Sequence, residues 1–106
     1  MVRETNKRVV EGFAKKVKRD YADAEVILFG SRAREEEMKD SDYDVVVVSG
    51  AFEGVNFFRR TEIMYEYWNR DELLEAFCYT PKEFGEKKEQ IGTVQNAVKT
   101  GIKIEV

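Results

Sequence analysis

The sequence predicts an α/β domain in which a small sheet packs against about three helices. Two observations support this fold class. Short apolar runs, such as residues 26–29 and 45–48, are bounded by glycine or acidic residues, which is typical of buried strands. Between them lie longer segments whose apolar residues recur at helical spacing. Because 106 residues suffice for one core, we expect a single domain over residues 1–106.

The first helix is expected near the N-terminus, where Thr5 or Asn6 can act as its cap. Its apolar residues repeat with helical spacing, at Val9, Val10, Phe13, Val17 and Tyr21. Residues 26–29 then predict a strand that ends at Gly30, and a short helix follows through Arg34. Residues 45–48 continue as a second strand directly from an acidic segment.

Residues 55–69 predict a second helix and residues 73–79 a further strand. A third helix is expected from Thr80-Pro81, with Gly101 as its C-cap. The apolar face of that helix would consist of Phe84, Ile91, Val94 and Val98. Residues 102–106 alternate like a short edge strand.

Apolar and aromatic residues occupy more than half of the circumference of the second helix. They could simply wrap a small core. They could also form a surface for another protein, because aromatic residues and methionine are enriched in interface cores. We therefore expect either a homodimer or a hetero-oligomer.

The segment with the most chemical content joins the first two strands. Gly30-Ser31 follows the first strand, and ten residues separate Ser31 from Asp42-Tyr43-Asp44 at the start of the second. Side chains at i and i+2 of a strand share one face, about 6.6 Å apart. Two carboxylates so placed favour a cation, and Mg²⁺ is usually held by one or two carboxylates together with substrate phosphates.

Exposed amides at the Gly30-Ser31 turn would face such phosphates, and Arg32 and Arg34 would add positive charge. Each signal also has a simpler interpretation. The aspartates could form an Asx turn, Ser31 could only cap a helix, and the arginines could lie on a solvated helix face.

These motifs, Gly30-Ser31, Arg32-Ala33-Arg34 and Ser41-Asp42-Tyr43-Asp44, resemble the minimal nucleotidyltransferases of the DNA polymerase β-type superfamily. The resemblance implies a mixed sheet, ATP as substrate and two Mg²⁺ ions about 3.5–4 Å apart. Asp42 and Asp44 would be catalytic metal ligands. The nucleotide-binding residues would be Gly30, Ser31, Arg32, Arg34 and Ser41.

The resemblance also implies a third acid on a neighbouring strand, which completes the metal site or accepts a proton. Glu75, within residues 73–79, matches this role as a catalytic residue and metal ligand. The family usually has Asp at this place, so the longer Glu75 is a departure. It could instead face solvent on an edge strand.

Small proteins of this family resemble the antitoxin of two-component systems whose partner is a helical HEPN-type protein. The resemblance implies transfer of AMP from ATP to a hydroxyl group of that partner. A non-catalytic module that binds nucleotide and neutralises its partner by covering it is the alternative. Transfer to a small molecule is a third possibility, which would need an acceptor pocket built by dimerisation.

Composition excludes several other functions. The chain has no histidine and one cysteine, Cys78, which excludes imidazole general bases and cysteine-rich metal sites. The net charge of −3 disfavours extended contact with nucleic acid. We see no signal peptide and no membrane-spanning stretch, and we expect a cytoplasmic protein.

Overall fold

The computed structural model describes residues 4–36, 38 and 41–106. Four strands in this part of the chain form one mixed sheet in the order β3-β2-β1-β4. β1 is antiparallel to both β2 and β4, whereas β2 and β3 are parallel. The α/β fold class with a small mixed sheet is therefore confirmed. The strands are β1 (Glu25–Phe29), β2 (Tyr43–Val48), β3 (Leu74–Tyr79) and β4 (Ile102–Ile104).

The described residues hold five α-helices rather than about three, and a 3₁₀ turn at Gly50–Phe52. The single turn after β1 is the short helix expected through Arg34, and the additional helix arises because the expected third helix is divided into two. The helices are α1 (Glu4–Asp20), α2 (Ser31–Arg34), α3 (Phe57–Tyr65), α4 (Pro81–Lys87) and α5 (Thr93–Thr100).

The predicted continuous helix after Thr80 is wrong because the chain breaks between α4 and α5. Gly92 precedes α5 with a φ of 156°, which a non-glycine residue rarely adopts. Ile91, expected on the apolar face, is 97% exposed, whereas Val94 is buried. Periodicity alone did not reveal the break, since both helices keep their apolar residues at helical spacing.

The predicted second helix also differs from the structure, since α3 ends at Tyr65 rather than residue 69. The Asn56 side chain caps its N-terminus by accepting hydrogen bonds from two backbone amides. Beyond the helix, Trp68 is buried and its indole Nε1 donates to the Glu72 carbonyl at 2.7 Å. Trp68 thus belongs to the core without being helical.

Both faces of the sheet are covered by helices. On β2, Val45 and Val47 join the larger core with residues of α1 and α3, while Val46 and Val48 pack on the other face with residues of α5. A strand covered on both sides lacks alternation, which explains why residues 45–48 form an uninterrupted valine run.

An ion pair connects α3 to α4. The Arg60 guanidinium is 7% exposed and donates to the Glu83 carboxylate at 2.6 and 3.3 Å. Glu83 and Thr80 also form a capping box at the start of α4. Hydrogen bonds from the Arg60 guanidinium and from the Thr80 backbone amide lower the pKa of Glu83 to about 2. These contacts fix α4 against the end of β3.

Cys78 lies in the core on β3 and is fully buried. Burial raises the pKa of its thiol to about 12, so the thiolate needed for nucleophilic attack does not form near neutral pH. No helix among the residues that the structure describes has the length and apolar character needed to cross a membrane.

Gly101 connects α5 to the edge strand β4. It follows α5 as expected, but its φ of −85° is not the left-handed conformation of a glycine cap. Lack of space explains the glycine instead. A Cβ atom at this position would lie 2.8 Å from both Ile27 Cγ2 and the Leu28 carbonyl oxygen. The contact holds α5 tightly against β1.

We predict that Gly101→Ala lowers the free energy of unfolding by about 1–3 kcal/mol, because backbone must move to admit the methyl group. The matched control is Gly12→Ala within α1, where a Cβ atom would meet nothing within 4 Å. That change should stabilise the protein by about 0.5–1 kcal/mol. Urea denaturation of both variants tests the pair, and equal effects would contradict the packing described here.

Candidate functional site

Two carboxyl groups meet where β2 and β3 begin. Asp44 is the register partner of Glu75 across the parallel pair, and of Phe29 across the antiparallel pair. Adjacent strands lie about 4.8 Å apart, so the two acidic side chains are neighbours on one face of the sheet. The sheet thus brings Asp44 of the Asp-x-Asp motif next to the expected third acid, which lies 31 residues further along the sequence.

The Asp44 carboxyl group has a pKa of about 7, well above its ordinary value of 3.8. Partial burial is the main cause, followed by a hydrogen bond and charge repulsion from Glu75. The charge of Asp42 acts in the same direction, and Arg34 opposes it. In the absence of a cation, the Asp44 carboxyl group can therefore carry a proton near neutral pH. It then donates a hydrogen bond to the Glu75 carboxylate.

Gly30 lies against the Asp44 carboxyl group. Its φ is 76°, and a Cβ atom there would lie 2.5 Å from Asp44 Oδ2. Two independent constraints, the left-handed backbone and the lack of space, thus require glycine at this position. The strand must end in a glycine for its backbone to approach the acid so closely.

Ser31 begins α2, a single helical turn that ends at Arg34 and is followed by Glu35 with a φ of 60°. Gly30 provides no side chain to cap this turn. Within the described residues the Ser31 hydroxyl makes no hydrogen bond. The turn therefore places a hydroxyl and a helix start directly after the residue that touches Asp44.

Arg32 is 7% exposed and holds the loop that precedes β2. Its guanidinium donates to the Ser41 carbonyl from Nη2 at 2.8 Å and lies 4.2 Å from the centre of the Tyr43 ring. It also donates to the Asn6 side chain at 3.2 Å. The observed contacts position the segment that carries Asp42, and direct contact of Arg32 with nucleotide stays a prediction.

Ser41 braces the same loop, since its Oγ accepts a hydrogen bond from the Met38 amide at 2.8 Å. Arg34 behaves differently from Arg32, because its side chain is 46% exposed and pairs with Glu36 at 2.7 Å. The Arg34 charge nonetheless reaches Asp44. Of the two arginines, Arg34 is the one whose charge acts on the acidic site.

Asn6 is a supporting residue that the sequence analysis assigned wrongly. It is not a cap, because α1 includes Glu4 and Thr5. Asn6 is 2% exposed, donates to the Arg32 carbonyl at 3.1 Å and accepts from the Tyr43 hydroxyl at 3.2 Å. Its spacing from Val10 and Phe13, four and seven residues, could have placed it on the buried face.

The donor set of the site consists of carboxylate oxygens, which suits Mg²⁺ or another hard cation. Among the described residues no three acidic or cysteine side chains are grouped closely enough to hold a metal ion by themselves. A pair of carboxylates completed by substrate phosphates is the usual arrangement for Mg²⁺, and the Asp44–Glu75 pair fits it. The acidic segment before β2 also contains Glu37 and Asp40, which lie outside the described residues.

Residues 10–101 match the model of a family described as a nucleotidyltransferase domain. The matched segment includes every candidate site residue from Gly30 to Glu75. No curated protein matches the chain.

Among the solved structures that are similar in fold are the following two. One is a candidate nucleotidyltransferase from Sulfolobus solfataricus, with 21% identity and a TM-score of 0.65 over 93% of this chain and 78% of that one. The other is BolA1 from Arabidopsis thaliana, with 21% identity and a TM-score of 0.52 over 67% of this chain and 89% of that one. At these identities the likeness shows a shared fold only.

We predict that Glu75→Gln stabilises the protein more at pH 8 than at pH 5 in metal-free buffer. The folded-state pKa of Asp44, about 7, exceeds its ordinary value of 3.8. The stability that Asp44 contributes is therefore complete below about pH 4 and is lost as the pH rises through 7. Removing the neighbouring charge lowers this pKa and reduces that loss.

Urea denaturation at both pH values measures the effect, and the exposed Glu89→Gln serves as the control for loss of one charge. An equal gain at pH 5 and pH 8 would show that the two carboxyl groups do not interact.

Proposed function

The chain belongs to the nucleotidyltransferase domain family, and from this membership we propose that it transfers AMP from ATP to a hydroxyl group of a partner protein in a Mg²⁺-dependent reaction. General nucleotidyl transfer follows from the family. ATP, Mg²⁺ and the protein acceptor are the proposal. The observation that carries it is the pair of neighbouring carboxyl groups, Asp44 and Glu75, beside the Gly30-Ser31 turn.

Asp44 and Glu75 would hold Mg²⁺ between them, with Asp42 as a further ligand from the preceding loop. The bound ion would polarise the α-phosphate and favour ionisation of the acceptor hydroxyl. Partial burial, followed by the hydrogen bond and repulsion from Glu75, raises the pKa of Asp44, and a bound cation would relieve that repulsion.

The Gly30-Ser31 turn lies beside the Asp44 carboxyl group and leads directly into α2. The Ser31 hydroxyl and the amides at the start of α2 would bind the β- and γ-phosphates, and Arg34 would add positive charge. The acceptor oxygen would then form a bond to the α-phosphorus as the bond to the β-phosphate oxygen breaks. Pyrophosphate leaves, and the acceptor proton passes to a carboxylate or to water.

A partner protein is proposed because α3 has an exposed aromatic surface, which we define as Phe57, Phe58 and Tyr65. These side chains are 37%, 77% and 38% exposed, whereas Met64 on the same helix is fully buried. Aromatic residues of this kind are enriched in interface cores. A helical HEPN-type protein is the proposed partner, in which case this chain would act as an antitoxin.

A second candidate is a non-catalytic module that binds nucleotide and neutralises its partner by covering it. Two observations favour it. Glu75 replaces the aspartate usual in the resembling proteins, and the described acidic residues do not form a complete metal-ligand set without phosphates. In this case the same surface would bind the partner, but no group would be transferred.

We predict that Asp44→Asn lowers AMP transfer by at least about a hundredfold, since even outer-sphere partners of a metal site typically contribute 10–100-fold. The fold should persist, because the change relieves a like-charge contact. Asp71→Asn, at an exposed position, is the matched control and should keep full activity.

The measurement is intact-mass analysis after incubation with Mg²⁺, ATP and a helical protein encoded by a neighbouring gene. Added AMP that depends on Asp44 supports the enzyme. Full activity of Asp44→Asn would exclude the assigned role, and a stable complex without added mass would favour the binding module.

A further inference from the structure

A cavity of 450 Å³ opens on the same face of the sheet as the acidic pair. Its volume falls in the range of small-molecule sites. The residues that line it are Phe57, Phe77, Tyr79, Glu83, Lys87 and Thr93. The proposed reaction uses none of them, apart from the partner surface suggested at Phe57.

The sheet register connects this cavity to the acidic pair. Glu75, Phe77 and Tyr79 alternate along β3 and therefore point to one face. Phe77 follows Glu75 by two residues, about 6.6 Å along the strand. The Phe77 ring also contacts Phe29, the register partner of Asp44, with ring centres 5.9 Å apart. A molecule bound at the carboxyl pair would thus lie next to the aromatic side chain of Phe77.

The cavity offers flat apolar surface. The Tyr79 ring is almost buried, and its centre lies 5.6 Å from that of Phe57. Phe77 is half-buried beside it. Aromatic rings that line a cavity, as the rings of Phe77 and Tyr79 do, favour a planar ring as ligand, through stacking.

Polar groups at the rim supply both kinds of hydrogen-bonding partner. Glu83 and Lys87 lie four residues apart and share one face of α4. The Glu83 carboxylate is held by Arg60, so its charge is already balanced. Lys87 is exposed and makes no ion pair within the described residues. The Glu83 carboxylate is an acceptor, the Lys87 ammonium group is a donor, and the Thr93 hydroxyl can be either. This set matches the edge of a nucleobase, which also carries both donors and acceptors.

We propose that this cavity binds the base of the nucleotide substrate, stacked on Phe77 and Tyr79 with its polar edge toward Lys87 and Glu83. The inference rests on the proposed function, because it places the α-phosphate at the Asp44–Glu75 pair. With the terminal phosphates toward Gly30 and Ser31, the nucleoside extends from the α-phosphate toward Phe77. The base is thereby held by α3, α4 and the start of α5.

Calorimetric titration with Mg²⁺–ATP and with Mg²⁺–tripolyphosphate, which lacks a nucleoside, tests the proposal. In Thr93→Trp the indole fills the rim of the cavity, and Asn96→Trp places the same group on an exposed part of α5. We expect Thr93→Trp to weaken ATP binding about tenfold or more, the value of one lost stacked base, with tripolyphosphate unaffected. Asn96→Trp should bind both ligands as the wild type does.

A second pair of variants covers the case in which Thr93→Trp does not fold. Lys87→Met should weaken ATP binding but not tripolyphosphate binding, and Lys82→Met, outside the cavity on the same helix, should change neither. If Lys87→Met weakens both ligands equally, the cavity binds phosphate and the proposal is wrong.

Two further outcomes separate this inference from the proposed function. Normal ATP binding by Thr93→Trp with loss of AMP transfer would assign the cavity to the acceptor and overturn the inference alone. Failure of the wild-type protein to bind either ligand would overturn both.

Discussion

The approach of Asp44 to Glu75 is the constraint on which the rest of the structure depends. Two carboxyl groups on neighbouring strands repel when both are ionised, and the partial burial of Asp44 strengthens that repulsion. The surrounding fold holds them together through β2, which is central in the sheet and buried on both faces. A contact that opposes folding is thereby retained at the point where a cation would relieve it, which is a common trade-off at functional sites.

The residues directly before β2 depend on a second interaction, the polar contacts of the buried Arg32 side chain. Arg32 is buried with hydrogen bonds to the backbone of Ser41 and to Asn6, and with Tyr43 against its guanidinium. A buried cation without such partners would be strongly unfavourable. These groups come from α1, α2 and β2, so contacts from all three elements position Ser41, the residue before Asp42.

The sequence was most informative where one local rule decided the structure. Purely apolar runs predicted β1 and β2, and the Gly30-Ser31 turn was identified because glycine suits a strand end where backbone approaches a ligand closely. In the structure Gly30 also lies against the Asp44 carboxyl group. The proximity of Glu75 could not be derived from spacing, since the parallel β2–β3 pairing creates it, and only the family resemblance indicated it. The break between α4 and α5 was missed because it depends on how separate segments pack, which local periodicity does not encode. The burial of Asn6, by contrast, could have been predicted from its helical spacing to Val10 and Phe13.

The most direct test of the central claim is a crystal structure with Mn²⁺ and a non-hydrolysable ATP analogue, using anomalous scattering to locate the metal. We expect Mn²⁺ in contact with the carboxylates of Asp44 and Glu75 and with an oxygen of the α-phosphate. Nucleotide bound elsewhere on the sheet, or Mn²⁺ absent from the Asp44–Glu75 pair in a nucleotide-bound crystal, would contradict it.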